Sequence, residues 1–312
     1  MMRFRTLHNR PSRWIAHAGA GIVLLLTGCT AHRPIVAMMT DYGSRDAYTG
    51  VLSGVILSQC PNAQLVTITH EVPDFDVRSA SFVLGVASRA YPVGTVFCTV
   101  VDPGVGTVRR SLIVRTRTGY TYVGPDNGTF TDVIRDQGLD GAWSIRERDY
   151  SGLAGLSTTF HGRDIYGPIA GKLAAGADPD RFGKRVIDPV MFDIPAATRG
   201  GSGATGIVRY VDGYGNIVTN IPAQWVLKGV ARGLPIAVAV GRSHITAVST
   251  TAYADVPVGA AVVLANSQGL LEVARNQASA AELFSAAKCG ARIELRRVQG
   301  PNKKDMKKTV DR

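Results

Sequence analysis

Cysteine is scarce in this chain of 312 residues, with four in all and no regular spacing. Cys29 closes an apolar stretch near the start, which leaves Cys60, Cys98 and Cys289. An odd, uneven set argues against a disulfide framework and against a zinc cluster. Cys98 sits in an apolar β-like run and Cys60 just after a helical one, so both read as small core residues. Ala16–Leu26 is apolar but too short to cross a bilayer as a stable helix. Internal repeats are absent as well. The formal charge of +11, from 35 Lys and Arg against 24 Asp and Glu, comes without interleaved aromatics, so nucleic acid is not an expected partner. Part of that charge lies at the ends, in Arg3, Arg5, Arg10 and Arg13 and again in Lys303, Lys304, Lys307, Lys308 and Arg312. The second run has no apolar periodicity and reads as a disordered, solvated tail over 299–312 that could touch anionic lipid. Gly104-Val105-Gly106-Thr107 lacks both the lysine of a Walker A loop and the third glycine of a dinucleotide fingerprint.

What is present begins with a leader. A basic segment, the apolar Ala16–Leu26 and then Leu26-Thr27-Gly28-Cys29 follow in order, and together resemble the lipobox of bacterial lipoproteins. The resemblance implies a signal peptide over 1–28, lipid on Cys29, and a tether over 29–34. Lipid there would hold the protein to a membrane while its domain stays in water. The expected address is the bacterial cell envelope, with the domain in the periplasm.

Apolar strands are expected at Ile35–Met39, Leu65–Ile68 and Thr95–Val101, alternating with helices ending near Cys60 and covering Val77–Ala90. Further strands are expected at Ser111–Arg115 and Tyr120–Val123, and a helix over Asp164–Ala175. This order predicts an α/β class, with an N-terminal Rossmann-like α/β/α domain over 35–193 built on a mostly parallel sheet. Residues 194–205, rich in Pro and Gly, read as a linker. Short strands with frequent turns follow over 206–298, a smaller C-terminal β-barrel or sandwich with one helix over Ala278–Ala286.

Ligands of open α/β sheets bind at the carboxyl ends of strands. Polar clusters fall there: Asp41, then Asp102 to Arg110, then Gly124-Pro125-Asp126-Asn127-Gly128. A fourth, Thr159 to Asp164, opens a helix. Each alone is better explained by a cap or turn. As a set, Asp41, Asp102, His161 and Asp164 could also serve a metal-dependent hydrolase.

The wording of the clusters carries more. Thr40-Asp41-Tyr42-Gly43, Val101-Asp102-Pro103-Gly104-Val105-Gly106-Thr107 with Arg109-Arg110, Pro125-Asp126-Asn127-Gly128 and Thr159-Phe160-His161-Gly162-Arg163-Asp164 occur in one order. Asp212-Gly213-Tyr214-Gly215-Asn216, Thr219-Asn220, Asn266-Ser267-Gln268-Gly269, Glu272 and Arg275-Asn276-Gln277-Ala278 follow them. Together they resemble the S-adenosyl-L-methionine hydroxide adenosyltransferases, relatives of the fluorinase and chlorinase. The resemblance spans roughly Ile35 to Leu283. It implies hydrolysis of S-adenosylmethionine to adenosine and methionine through Asp102, Arg109 and His161, with no cofactor and no metal. Substrate contacts implied in the same way are Asp41 on the ribose, Asp212 and Ser267 on the methionine end, and Asn216 at the adenine edge near Arg275 and Gln277. Phe160 and Tyr214 would be aromatic walls, with Tyr42, Asp126 and Asn127 also at the site. Gly162 replaces a halide-contacting serine of the fluorinase, which favours hydroxide, and Gln268 replaces an arginine at the methionine carboxylate. A homotrimer with sites between subunits is implied too. Two further readings are a lipid-anchored binder of adenosyl compounds without turnover and a halogenase-like activity.

Overall fold

The computed structural model describes residues 33–147 and 157–298. Cys29, the leader and the basic tail lie outside the described residues. The first sheet joins β1 (Ile35–Thr40), β2 (Gln64–Thr69), β3 (Val96–Val100), β4 (Ser111–Thr116), β5 (Thr121–Pro125), β6 (Leu139–Ile145) and β7 (Gly183–Val186) in the order β2-β1-β3-β5-β4-β6-β7. Alternation along β1 assigns its two faces. Val36 and Met38 pack with Leu52 and Ile56 of α1 (Tyr48–Gln59) and with Ile169 of α4 (Gly167–Ala174). Ala37 and Met39 pack with Leu84 of α2 (Val77–Ser88) and Val133 of α3 (Thr131–Gln137). Three layers result, as the βαβαβ pattern requires. Asp76 caps α2 by accepting the Ser79 N–H at 3.0 Å.

The strands are mostly parallel, as expected, but the Rossmann-like reading needs correction. Strands β2, β1, β3 and β5 run parallel, but β4 pairs antiparallel with both β5 and β6, and β6 with β7. The sheet is mixed. Between β4 and β5 the chain turns within a few residues, with Thr116 N–H donating to the Tyr120 carbonyl, and a parallel crossover needs a dozen or more. The parallel half sets up the site: the ends of β1, β3 and β5 share one edge, where β4 also begins, with Ser111 opposite Pro125.

Beyond it, β9 (Gly203–Val211), β10 (Ile217–Pro222), β11 (Pro235–Val240), β12 (Ser243–Ser249), β13 (Ala261–Ala265), β14 (Leu270–Arg275) and β15 (Arg292–Arg297) form a ring. It runs β10-β14-β13-β12-β11-β15-β9 and closes by pairing β9 with β10, so the domain is a seven-strand barrel rather than a sandwich. The short α5 (Gln224–Leu227) contributes Val226 to its core. Residues expected as linker are partly strand, because β8 (Thr198–Gly200) folds back on the start of β9. The helix expected over Ala278–Ala286 is one 3₁₀ turn, Ala281–Leu283.

One buried contact ties the sheets together. Arg209 of β9, 7% exposed, donates to both carboxylate oxygens of Asp132 at 2.8 and 2.7 Å, and its guanidinium lies 5.4 Å from the Phe82 ring centroid. Asp132 also accepts the Ser81 hydroxyl at 2.6 Å, so α2, α3 and the barrel meet at one carboxylate. Removing one member of such a pair strands the other. Arg209→Ala should therefore lower unfolding free energy by about 3 kcal/mol, read as a reduced denaturant midpoint at constant slope.

Candidate active site

Asp102 lies two residues past β3, and the loop after it returns Arg109 to the start of β4. Gly106 makes the return possible: its φ is +76°, and a Cβ there would overlap the Thr158 carbonyl. Arg109 meets its own loop's acid, with Nε donating to Asp102 Oδ1 and Oδ2 at 2.9 and 3.0 Å and Nη2 to Oδ2 at 2.5 Å. The third member arrives from elsewhere. His161 precedes a single π-helical turn, Gly162–Tyr166, that runs into α4, and its Nδ1 lies 2.6 Å from Arg109 Nη2. Such turns are rare and recur at functional sites.

These contacts fix protons. A guanidinium donates and never accepts, so Nδ1 of His161 is the acceptor and the imidazole is neutral with its proton on Nε2. Burial, and then the charge of Arg109, hold the His161 pKa below its usual 6.5. Asp102 and His161 line a cavity of about 530 Å³ together with Asp41, Tyr42 and Gly162, but Arg109 does not. The guanidinium therefore sits behind the two groups it connects, supplying positive charge between them.

Asp41 closes the same cavity. It accepts the Phe75 N–H at 3.1 Å, and burial raises its carboxyl pKa while that bond opposes the rise. Tyr42 packs against Tyr48 and Phe160, with ring centroids 5.8 Å away in each case. Burial also drives the Tyr42 phenol pKa strongly upward, so it stays protonated. Gly162 leaves room for it, since a Cβ would overlap the Tyr42 hydroxyl in this position. Tyr48, Asp74 and Phe75 line the cavity too and went unnoticed in the sequence. Phe75 is 69% exposed with φ +63°, backbone strain of a kind that gathers at ligand sites. Its one signal was an aromatic between Asp74 and Asp76 in a turn.

Other expected residues are placed differently. Asp126 is committed to Arg110 Nε at 2.7 Å and the Val190 N–H at 2.7 Å, and Asn127 to the Val101 carbonyl and Thr129. Neither lines the cavity. Asp164 holds Arg163 and the Ser157 N–H, outside any shared donor set with His161. Asp212 and Ser267 line a second cavity of about 570 Å³, beside Gln268, Tyr253 and Glu272. Asp212 there accepts the Tyr214 and Asn216 N–H groups and the Asn216 amide, each at 2.9 Å. Asn216 is buried behind it, Tyr214 is exposed, and Arg275 and Gln277 stand apart from this cavity. Arg275 donates instead to the Gly259 carbonyl. Tyr253 and Glu272, bonded at 2.7 Å, are additional lining groups. The two cavities share no lining residue.

A mixed α/β sheet joined to a closed barrel, with a carboxylate, guanidinium and imidazole at the strand ends, defines a class of two-domain proteins with a hydrolytic type of site. Comparison narrows it. The sequence model of the SAM hydroxide adenosyltransferase N-terminal domain matches residues 36–183, and that of the C-terminal domain matches 206–294. The chain belongs to the SAM hydroxide adenosyltransferase family. It is 35% identical over 259 residues to an (R)-S-adenosyl-L-methionine hydrolase of Salinispora arenicola, covering 82% of this chain and 95% of that protein. Another of that name, from Thermus thermophilus, is 36% identical over 80% of this chain and 94% of its own length. A fluorinase of Actinopolyspora mzabensis is 29% identical over 80% and 93%. The crystal structure of an uncharacterized conserved protein from Thermotoga maritima superposes with a TM-score of 0.77 at 37% identity, over 84% of this chain and all of that one.

A depressed histidine pKa has a definite sign. The unfolded chain takes up a proton near 6.5 and folded His161 only at lower pH, so its contribution to stability is full above 6.5 and declines as pH falls toward the folded value. A titration of His161 by NMR should show a midpoint below 6.5, and Arg109→Met should move it upward.

Proposed function

We propose that this chain hydrolyses S-adenosyl-L-methionine to adenosine and L-methionine. The observation that carries the reading is the bridge of Arg109 from Asp102 to Nδ1 of His161, which leaves one acceptor and one donor at the cavity. Asp102 offers carboxylate oxygen and His161 offers Nε2–H. A water held between them gives its proton toward Asp102 while His161 fixes a lone pair, and a second lone pair attacks the ribose C5′. The C5′–S bond breaks with its electrons passing to sulfur, so methionine leaves as a neutral thioether and no general acid is needed. Asp41 takes the ribose hydroxyls, and Tyr42 with Phe75 gives apolar walls. General-base assistance is worth about 10²–10⁴-fold, and fixing water in line adds to it.

The relatives' name specifies an (R) form. Because the methionine is already L, the descriptor refers to the sulfonium centre, and we take that epimer as the preferred substrate. The methionine end belongs to Asp212 and Ser267. Their cavity shares no residue with that of Asp102 and His161, which favours a site assembled from two subunits, in a trimer. A lipid on Cys29 and an address in the cell envelope complete the proposal, on the strength of the lipobox pattern alone.

Purified protein incubated with each sulfonium epimer should release adenosine and methionine, unaffected by chelator. Asp102→Asn should slow release by at least about 10²-fold; wild-type rates in that variant would overturn the mechanism. Co-expression of Asp102→Ala with Asp212→Ala should restore part of the activity that each lacks alone, if subunits share sites. Absence of any complementation would contradict sharing.

A further inference from the structure

A guanidinium has five N–H donors, and every one on Arg109 has an acceptor. Nε and one Nη2 hydrogen serve Asp102, and the other Nη2 hydrogen serves His161. The two on Nη1 point away from the cavity, toward Ser111 Oγ at 3.0 Å and Glu147 Oε1 at 3.3 Å. Ser111 opens β4 and is fully buried, and Glu147 follows shortly after β6. No cluster in the sequence marked either one.

The protons in this rear network can be assigned in full. Ser111 Oγ lies 2.5 Å from Glu147 Oε1, and a carboxylate only accepts, so the serine's single hydrogen goes there. Its two lone pairs then receive Arg109 Nη1–H and the hydroxyl of Tyr166, 3.0 Å away. Tyr166 is wholly buried and stays a phenol. Tyr166 lies in the π-helical turn that follows His161, with its ring centroid 6.4 Å from the imidazole and 5.7 Å from the Arg109 guanidinium. Every hydrogen that Arg109, Ser111 and Tyr166 contribute here has an acceptor, and the Arg110 carbonyl, 3.5 Å from Nη1, is a further one.

We propose that Glu147 and Ser111 are positioning residues for the hydrolysis: by holding Nη1 of Arg109 from behind, they fix Nη2 on His161 and so enforce the Nε2–H tautomer that faces the nucleophile. The proposal rests on the hydrolase reading above but concerns residues outside both cavities. Without the rear carboxylate, Nη1 keeps Ser111 Oγ and the Arg110 carbonyl at 3.5 Å but loses its third acceptor, and Ser111 Oγ loses the acceptor that orients it. The guanidinium can then rotate about its Asp102 contact, and His161 Nδ1 loses the donor that keeps it unprotonated. Misplacing a reacting group by about 1 Å costs up to about 10²-fold in rate, whereas substrate affinity has no reason to change. Carboxylate charge is a smaller part of the effect than the acceptor atoms, so glutamine is the conservative replacement.

The test compares Glu147→Ala, Glu147→Gln and Ser111→Ala with the wild-type protein. Three readouts apply: kcat and KM for S-adenosyl-L-methionine, thermal unfolding, and the ring ¹⁵N shifts of His161, which report its tautomer directly. Glu147→Ala and Ser111→Ala should each lower kcat by about tenfold or more, leave KM within about twofold, and draw the two ring-nitrogen shifts together. Glu147→Gln should recover part of the lost rate. Wild-type kcat with unchanged ring shifts in both alanine variants would overturn the proposal, as would a rise in KM with kcat intact. An inactive wild-type protein would instead sink the hydrolase reading, and the ¹⁵N shifts would still decide whether Glu147 sets the tautomer. Should Glu147→Ala not fold, Ser111→Ala and Glu147→Gln carry the same comparison.

Discussion

Arg109 joins two parts of the chain that share one core, with Val100 of β3 in the same cluster as Ile165 and Tyr166. Asp102 comes from the end of β3, and His161 from the turn that opens α4, 59 residues later by their numbers. The guanidinium between them is almost fully withdrawn from solvent, with a side-chain exposure of 10%. A buried cation is tolerated only when its hydrogens are taken up by acceptors, and here Asp102, His161, Ser111 and Glu147 do so. Burial raises the cost of a second charge nearby, which keeps His161 neutral. Neutrality, in turn, gives the imidazole a single donor directed at the cavity.

Architecture serves that arrangement. The parallel half of the first sheet brings Asp41, Asp102 and the β5 turn to one edge, while the antiparallel insertion of β4 brings Arg109 and Ser111 back to it. A wholly parallel sheet would have sent the chain across a helix before returning. The mixed topology is therefore part of how the site is built. Behind the same sheet, Asp132 holds α2 and α3 against Arg209 of the barrel, so the barrel cavity and the sheet keep a fixed relation within the chain.

Much of this could be read from residues alone. Apolar runs at Ile35 and Thr95 located the central strands β1 and β3, because a doubly covered strand must be apolar on both faces, and the run at Leu65 located the edge strand β2. Asp102, Arg109 and His161 stood out as a set through the family resemblance of the motifs that hold them. The sheet's direction was less legible, although Thr116–Tyr120 is too short a connection for a parallel pair. Asp126 and Asn127 show the limit from the other side. Their motif is as distinctive as that of Asp102, yet within the chain they bond to Arg110, Val190 and Val101, partners that no local pattern names. Phe75 and Glu147 are the converse. A positive φ and a contact across 38 positions leave no trace in local pattern.

The chemistry turns on where water attacks. Hydrolysis run in ¹⁸O-enriched water, with products separated and weighed by mass spectrometry, tests this most directly. Attack at the ribose C5′ predicts one ¹⁸O in the 5′-hydroxyl of adenosine and none in methionine. Label in homoserine beside unlabelled methylthioadenosine would show attack on the amino-acid side of sulfur, and would contradict the account.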